Sequence, residues 1–421
     1  METIGFAKYD TYKDSEVEWI GEVPQHWELR KFKRIFYEVK KRTKTELGCG
    51  AISFGKVVYK DDEKIPESTK RSYQVVLKGD FLINPLNLNY DLISLRIALS
   101  EINVVVSSGY IVLVNSIEID KSYFKWLLHR FDVAFMKLLG SGVRQTLNYN
   151  DIGNCDLTFP PLSEQTDIAS FLNIKTTQID LTIAQKGKQI ELLKERRLTM
   201  INEVVTRGLD PYSPLVDSGM TWVGKMPKHW TTLRLKYVFK ILKRIANELG
   251  HHVLSITQTG IKVKDVESGE GQLAMDYSKY QFVYKGDLAM NHMDLLTGYV
   301  DISKFDGVIS PDYRVFDLID PSFIKEYFLL LLQLCYKNKA FYANGQGVSM
   351  LGRWRFPTEN FNNFLFPIPP IEEQRAIAEH VSKFNNKIET AITCKQGEIE
   401  RLKEYKATLI NSAVTGKIKV S

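Results

Sequence analysis

Two sets of basic and amide side chains carry the chemistry this chain offers. Lys40, Lys41, Arg42 and Lys44 form a basic run, the residue types that hold phosphate oxygens. A glycine-flanked loop, Gly140–Asn148, carries Arg144, Gln145 and Asn148. Arginine and amide side chains are the ones that pair bidentately with base edges. A second set follows the same order: Lys243 and Arg244 match the first run. Gln258, Lys262, His292, Gln346, Ser349, Arg353 and Arg355 are the polar residues nearest the matched loops. A charge run is also what a solvated face looks like, and His251, His252 and His292 read more simply as polar surface than as metal ligands.

Catalytic constellations do not assemble. The phosphate loop GxxxxGK[ST] is absent. Gly140-Ser141-Gly142 and Gly345-Gln346-Gly347 are too short for a dinucleotide fingerprint and read as loop glycines. Asn84-Pro85-Leu86-Asn87 superficially approaches the NPP-aromatic signature of adenine methyltransferases, but the second proline and the aromatic are missing. Its counterpart, Asn291-His292-Met293-Asp294, shares only the asparagine. The chain therefore reads as non-catalytic, with no metal and no cofactor of its own.

What must position these residues is written twice. WIGEVPQHW from Trp19 returns as WVGKMPKHW from Trp222, 203 residues on, and PPLSEQTDIASFL from Pro160 returns as PPIEEQRAIAEHV from Pro369, 209 residues on. YQVVLKGD (Tyr73–Asp80) matches YQFVYKGD (Tyr280–Asp287), and ELLKERRLTMINEVVT (Glu191–Thr206) matches ERLKEYKATLINSAVT (Glu400–Thr415). A period this long exceeds the roughly 20–50 residues of a solenoid repeat; it marks two domain-plus-helix units. Between the landmarks the two bodies hardly resemble each other.

Phe81–Ile83, Val104–Val106 and Tyr110–Val114 read as strands, and Tyr123–Leu139 has helical spacing. Each unit ends in a proline pair and a long helix, with acids in the first turn (Glu164; Glu372, Glu373), where the dipole favours them. Gly208 and Gly416 stand where a helix should stop. Ile179, Ile183, Lys186, Ile190, Leu193, Arg197, Met200 and Val204 alternate spacings of 4 and 3, and the second copy gives Ile388, Ile392, Lys395, Ile399, Leu402, Lys406, Leu409 and Ala413. This is a coiled-coil seam, interrupted by bases at the same two places. Those bases serve either as register devices paired with glutamates such as Glu191, Glu195, Glu400 and Glu404, or snorkel at a partly exposed seam. Gly187 and Gly397 sit mid-helix as candidate kinks. The simplest pairing of the two helices is antiparallel.

At 421 residues the chain suits two or more domains. Its net charge of +6 makes it no polycation, so any nucleic-acid contact must come from local faces. No apolar run approaches the ~20 residues of a membrane span, the N-terminal residues lack the apolar stretch of a secretory signal, and four scattered cysteines read as reduced thiols. The expectation is a cytoplasmic protein.

The paired tryptophan motifs, the KGD turns, the PPLSEQ and PPIEEQ helix starts and the VTRG and VTGK helix ends resemble the specificity subunit of type I restriction–modification systems, over nearly the whole chain and twice. The resemblance implies a mixed α/β fold with two target-recognition domains (1–160 and 209–368) and two long antiparallel coiled-coil helices (161–208 and 369–421). It implies a reader of a bipartite, asymmetric target in double-stranded DNA. Its partners would be two copies of a modification (methyltransferase) subunit and two of a restriction/translocase subunit, which would use S-adenosylmethionine, ATP and magnesium. GSGV (Gly140–Val143) matches GQGV (Gly345–Val348), but the second runs into Ser349-Met350-Leu351-Gly352 where the first is followed by Arg144-Gln145-Thr146-Leu147, a departure in the second loop. Alternative readings are a specificity subunit of a methylation-only or other non-type-I system, a stand-alone DNA methyltransferase, and an oligomerisation scaffold that never touches DNA.

Overall fold

The computed structural model describes residues 5–44, 46–85, 95–136, 147–265, 277–347 and 354–420. The chain divides into two compact units, Met1–Gly187 with Gln396–Ser421, and Lys188–Lys395. Each long helix thus gives one part to each unit.

Unit 1 contains β1 (Phe36–Glu38), the hairpin β2 (Gly50–Ser53) and β3 (Lys56–Tyr59), β4 (Phe81–Ile83), β5 (Ile97–Leu99) and β6 (Ile111–Asn115), then α1 (Lys121–Ala134) and the start of α2 (Leu162–Arg207). Its main sheet runs β1-β6-β4-β5, all antiparallel, with Val112 opposite Leu82 and Leu82 opposite Ala98. Side chains alternate faces along a strand, and here both faces are covered. Phe81, Ile83, Ile97, Ile111 and Leu113 enter the core under α1, while Leu82, Ala98 and Val112 join a smaller cluster with Val57, Val76, Val104 and Val106. That is why these strands read as unbroken apolar runs.

Unit 2 repeats the plan: β7 (Phe239–Leu242), the hairpin β8 (Leu254–Thr257) and β9 (Gly260–Val263), β10 (Leu288–Met290), β11 (Val300–Ile302), β12 (Arg314–Leu318), α3 (Lys325–Lys337) and the start of α4 (Ile371–Val414). The sheet order is β7-β12-β10-β11, with Leu288 and Met290 in one core and Ala289 in the other.

Asp120 caps α1 by accepting from the Tyr123 backbone N–H at 2.9 Å, and Tyr123, Phe124, Leu127, Leu128 and Phe131 form its buried face. The helix expected as far as Leu139 ends at Ala134; residues 137–139 lie outside the described ones. α2 and α4 run unbroken for 46 and 44 residues, through Gly187 and Gly397, so neither glycine ends a helix. Gly208 and Gly416 follow the helix ends in the left-handed region, at φ +77° and +73°.

Along the helices, Ile179, Ile190, Val204, Ile388, Ile392 and Leu409 are buried, and Ile183, Leu193, Met200, Ile399 and Leu402 are half-buried. Three of the four seam bases, Lys186, Arg197 and Lys406, are ion-paired, but to other carboxylates than the nearby glutamates. In unit 1, Lys406 reaches Asp180 at 2.7 Å and Lys186 pairs with Glu398; in unit 2, Arg197 pairs with Glu389. Asp180 with Lys406 and Glu389 with Arg197 are the same pair under the 209-residue repeat. Pairing runs up one helix and down the other in unit 1, so the helices are antiparallel there. Glu191 and Glu400 bond instead to Lys194 and Lys403 on their own helices, because residues three apart share a helix face.

Candidate nucleic-acid interface

A frame built from the repeated motifs holds the polar side chains of each unit. In unit 1, Glu164 in the first turn of α2 accepts from the Trp27 indole N–H at 3.0 Å and from the Tyr9 hydroxyl at 2.8 Å, and it lies 2.6 Å from His26 Nε2. Burial works against the ionised Glu164, but these bonds outweigh it and hold its carboxyl below the usual range. Unit 2 has the same knot, Glu373 with Trp230 at 3.0 Å and His229 at 2.9 Å. The following glutamine ties helix to domain: Gln165 accepts from Asp120 N and donates to Pro160 O, and Gln374 accepts from Ile324 N and donates to Pro369 O. Sequence reading assigned the acids to the helix dipole and missed these roles. The signal was there, since Glu-Gln recurs at matched places behind the matched tryptophans.

The buried hydroxyl of Tyr123 donates to the Val414 carbonyl, and that of Tyr327 to the carbonyls of Val205 and Pro367. Lys121 and Lys325 donate to the carbonyls of Gly79 and Gly286 in the KGD turns. Each target domain is thereby fixed to the last turn of a long helix in its own unit.

On this frame the expected reading residues are placed as follows. Lys40, Lys41, Arg42 and Lys44 are all exposed; Lys41 donates to the Ser108 carbonyl at 2.8 Å and Lys44 lies 3.9 Å from Glu46. Lys243 is exposed, but Arg244 is half-buried, paired with Asp287 and stacked 4.6 Å over the Tyr284 ring. Arg244 is therefore held inside its own domain, unlike the exposed run it was matched to. Gln258 and Lys262 are exposed on the β8–β9 hairpin. Gln346 faces Arg355 across a two-residue ladder, Gln346–Gly347 with Trp354–Arg355, and both are exposed. Asn148 starts a short helix, its backbone N–H bonded to Asp151 at 2.7 Å. Arg144, Gln145, Ser349 and Arg353 lie outside the described residues.

His292 is half-buried, and among the described residues its Nδ1 has no geometrically sound hydrogen-bond partner. Burial, then the nearby Arg314 and Arg355 cations, pull its pKa down to about 3. It is therefore not a cation at physiological pH. Arg314 itself is 4 % exposed, donates to Phe356 O and Thr358 Oγ1, and lies 4.5 Å over the Phe361 ring. Among the described residues no group of three His, Cys, Asp or Glu is placed to hold a metal ion, and no helix is long and apolar enough to cross a membrane.

The exposed bases suit binding of a polyanion. Comparison with known proteins agrees. The family model of the type I restriction modification DNA specificity domain matches residues 96–192 and 227–401. The putative type I restriction enzyme MjaX specificity subunit of Methanocaldococcus jannaschii is 24 % identical, covering 99 % of this chain and 98 % of its own. The MjaVIII specificity subunit of the same organism is 28 % identical over 63 % of each chain. Among solved structures, a chain from work on complex assembly and conformational transition of the type I R-M system matches at TM-score 0.67 and 14 % identity, covering 93 % of this chain and 98 % of that one. The HsdS subunit from Thermoanaerobacter tengcongensis matches at TM-score 0.53 and 16 % identity, covering 94 % and 98 %. The family match on both halves, over a frame whose main bonds recur in each, means that the chain belongs to the DNA specificity subunits of type I restriction–modification enzymes, which recognise the target while other subunits perform the catalysis.

Proposed function

We propose that this chain reads a bipartite, asymmetric duplex target, one half-site to each target-recognition domain (1–160 and 209–368), with the long helices setting the unread gap. One observation carries the reading: the two frames share their Glu–Trp, Gln–backbone and Tyr–carbonyl bonds, whereas the exposed polar residues they present differ. Equal readers would suit a palindrome; unlike readers on like frames suit two unlike half-sites. The repeated helices would dock one kind of partner twice, two methyltransferase subunits, and through them two restriction/translocase subunits, in the cytoplasm. S-adenosylmethionine, ATP and magnesium would belong to those partners.

The reading residues are proposed to be Lys40, Lys41, Arg42, Lys44, Arg144, Gln145 and Asn148 in the first domain. In the second they are Lys243, Gln258, Lys262, His292, Gln346, Ser349, Arg353 and Arg355, with Arg244 supporting them from behind. The test is genome-wide adenine methylation in the host with and without the gene. Loss of one motif, two short unlike half-sites around a fixed gap, supports the proposal. Loss of a palindromic motif would overturn it.

A further inference from the structure

The β2–β3 hairpin turns through two residues, Phe54 and Gly55, between the paired Ser53 and Lys56. Both have positive φ, +46° for Phe54 and +71° for Gly55, the tight turn that ordinarily takes Asn-Gly. A bulky side chain at positive φ is a conformational outlier. The other non-glycine residues found there among the described ones are Glu16, Asn247 and Lys339, all polar. Strain of this kind is tolerated where a side chain packs or functions. Phe54 does not pack: it is 80 % exposed and belongs to none of the hydrophobic clusters, while Ile52 and Val57 supply the hairpin's inner face.

The hairpin itself is firmly held. Gly55 sits so close to Leu95 and His129 that an added Cβ would come within 2.9 and 3.0 Å of them. The ribbon's exposed residues beyond Phe54 include Lys56 and Lys60. The corresponding hairpin of unit 2, β8–β9, turns at Gln258-Thr259, polar and exposed. The same element therefore ends in an aromatic ring in one unit and an amide in the other.

Building on the target-reading role proposed above, we propose that the β2–β3 ribbon enters the major groove of the first half-site, and that Phe54 reads the 5-methyl group of a thymine there. The major groove, about 12 Å wide, admits a two-stranded ribbon, and the thymine methyl is the one apolar feature on its floor. A phenyl ring has neither donor nor acceptor for any other base edge. Lys56 beside the tip and Lys60 at the far end of the ribbon serve as phosphate contacts, and Gln258 reads by hydrogen bonding at the equivalent place.

The experiment uses the full chain co-expressed with its methyltransferase subunit and duplexes carrying the motif found by methylation mapping, with each thymine of the half-sites replaced in turn by deoxyuridine. The wild-type complex should bind one of these duplexes about fourfold more weakly, the worth of one buried methyl group. Phe54→Asn, which suits the turn and should melt no lower than wild type, should bind all of them alike. No uracil-sensitive thymine in the wild type, or sensitivity surviving in Phe54→Asn, overturns the proposal. So does a variant that binds DNA normally but loses the methyltransferase subunit, which would make Phe54 a protein contact. If the wild-type complex does not prefer its motif over random DNA, the underlying target-reading role has failed instead.

Discussion

Glu164 gives the sharpest quantitative test of the frame, because its counterpart is an internal control. Glu164 holds Trp27, Tyr9 and His26; Glu373 holds only Trp230 and His229 among the corresponding groups. His26 and His229 have side chains 47 % and 50 % exposed, so their pairs contribute little. Bonds to a charged acceptor contribute about 1.5–3 kcal/mol each. Taking the lower figure, Glu164→Ala should destabilise unit 1 by about 3 kcal/mol and Glu373→Ala should destabilise unit 2 by about 1.5 kcal/mol. For units of this size that means melting shifts of roughly 6–12 °C and 3–6 °C.

Tyr9 completes the cycle. Tyr9→Phe should lose about 1.5 kcal/mol in the wild type and almost nothing in Glu164→Ala. The sign with pH also follows. The Glu164 carboxyl is held below its ordinary value when folded, so its contribution is complete above the unfolded value near 4.3. It is lost as pH falls through the lower folded value. Wild type and Glu164→Ala should therefore converge in acid. Urea unfolding at several pH values reads all of this. Strict additivity of Tyr9→Phe and Glu164→Ala, or equal losses from Glu164→Ala and Glu373→Ala, would refute the account.

Gly416→Ala should lose about 2 kcal/mol or more, because φ is +73° and the new Cβ would meet Pro24 Cδ at 2.3 Å. Gly187→Ala, mid-helix with nothing within 4 Å, should gain up to about 1 kcal/mol; thermal melting compares them. Charge reversal at Arg197 or Glu389 alone should lower stability by less than about 1 kcal/mol, and the double exchange should restore it, as read in unfolding curves. Arg144→Ala should weaken target binding roughly 10- to 100-fold while assembly with the methyltransferase subunit survives. Failure of assembly would make that loop structural.

What was legible in the sequence was local or repeated. Phe81–Ile83 and Val104–Val106 are strands as their β-branched and aromatic runs predict, and the proline pairs and glycines bracket both long helices. What was not legible was pairing between distant residues. The strand Glu28–Lys31 pairs with Asp156–Phe159, and no local pattern in either short run names the other. The acids facing the seam bases, Asp180, Glu389 and Glu398, lie on the opposite helix, so only the antiparallel register identifies them. Arg244 looked like the match of an exposed base, but Asp287 and Tyr284 decide its burial, and both are some forty residues away. The Phe54 tip escaped notice because an exposed aromatic carries no sequence signal until its backbone conformation is known.

The divergence of the two bodies on one frame has a physical reason in the kind of bond the frame uses. Gln74 donates to the carbonyls of Ser107 and Tyr110, and its counterpart Gln281 to those of Ser310 and Tyr313. The Tyr123, Tyr327, Lys121 and Lys325 bonds likewise end on backbone carbonyls. A bond from side chain to main chain requires only one residue type to be kept, since every residue offers the same carbonyl. Side-chain pairs constrain both partners, and here the units differ. Unit 1 buries Arg96 against Asp132, whereas Arg314 of unit 2 is buried on carbonyl, hydroxyl and ring. Removing one member of a buried ion pair leaves an uncompensated charge, at about 3–5 kcal/mol, so such a pair changes only by double replacement. The side-chain-to-backbone bonds of the frame escape that restriction, while its Glu–Trp pairs are kept in both units. Exposed tip side chains such as those of Phe54 and Gln258 can then be exchanged without disturbing the frame, which is the property a family of target readers needs.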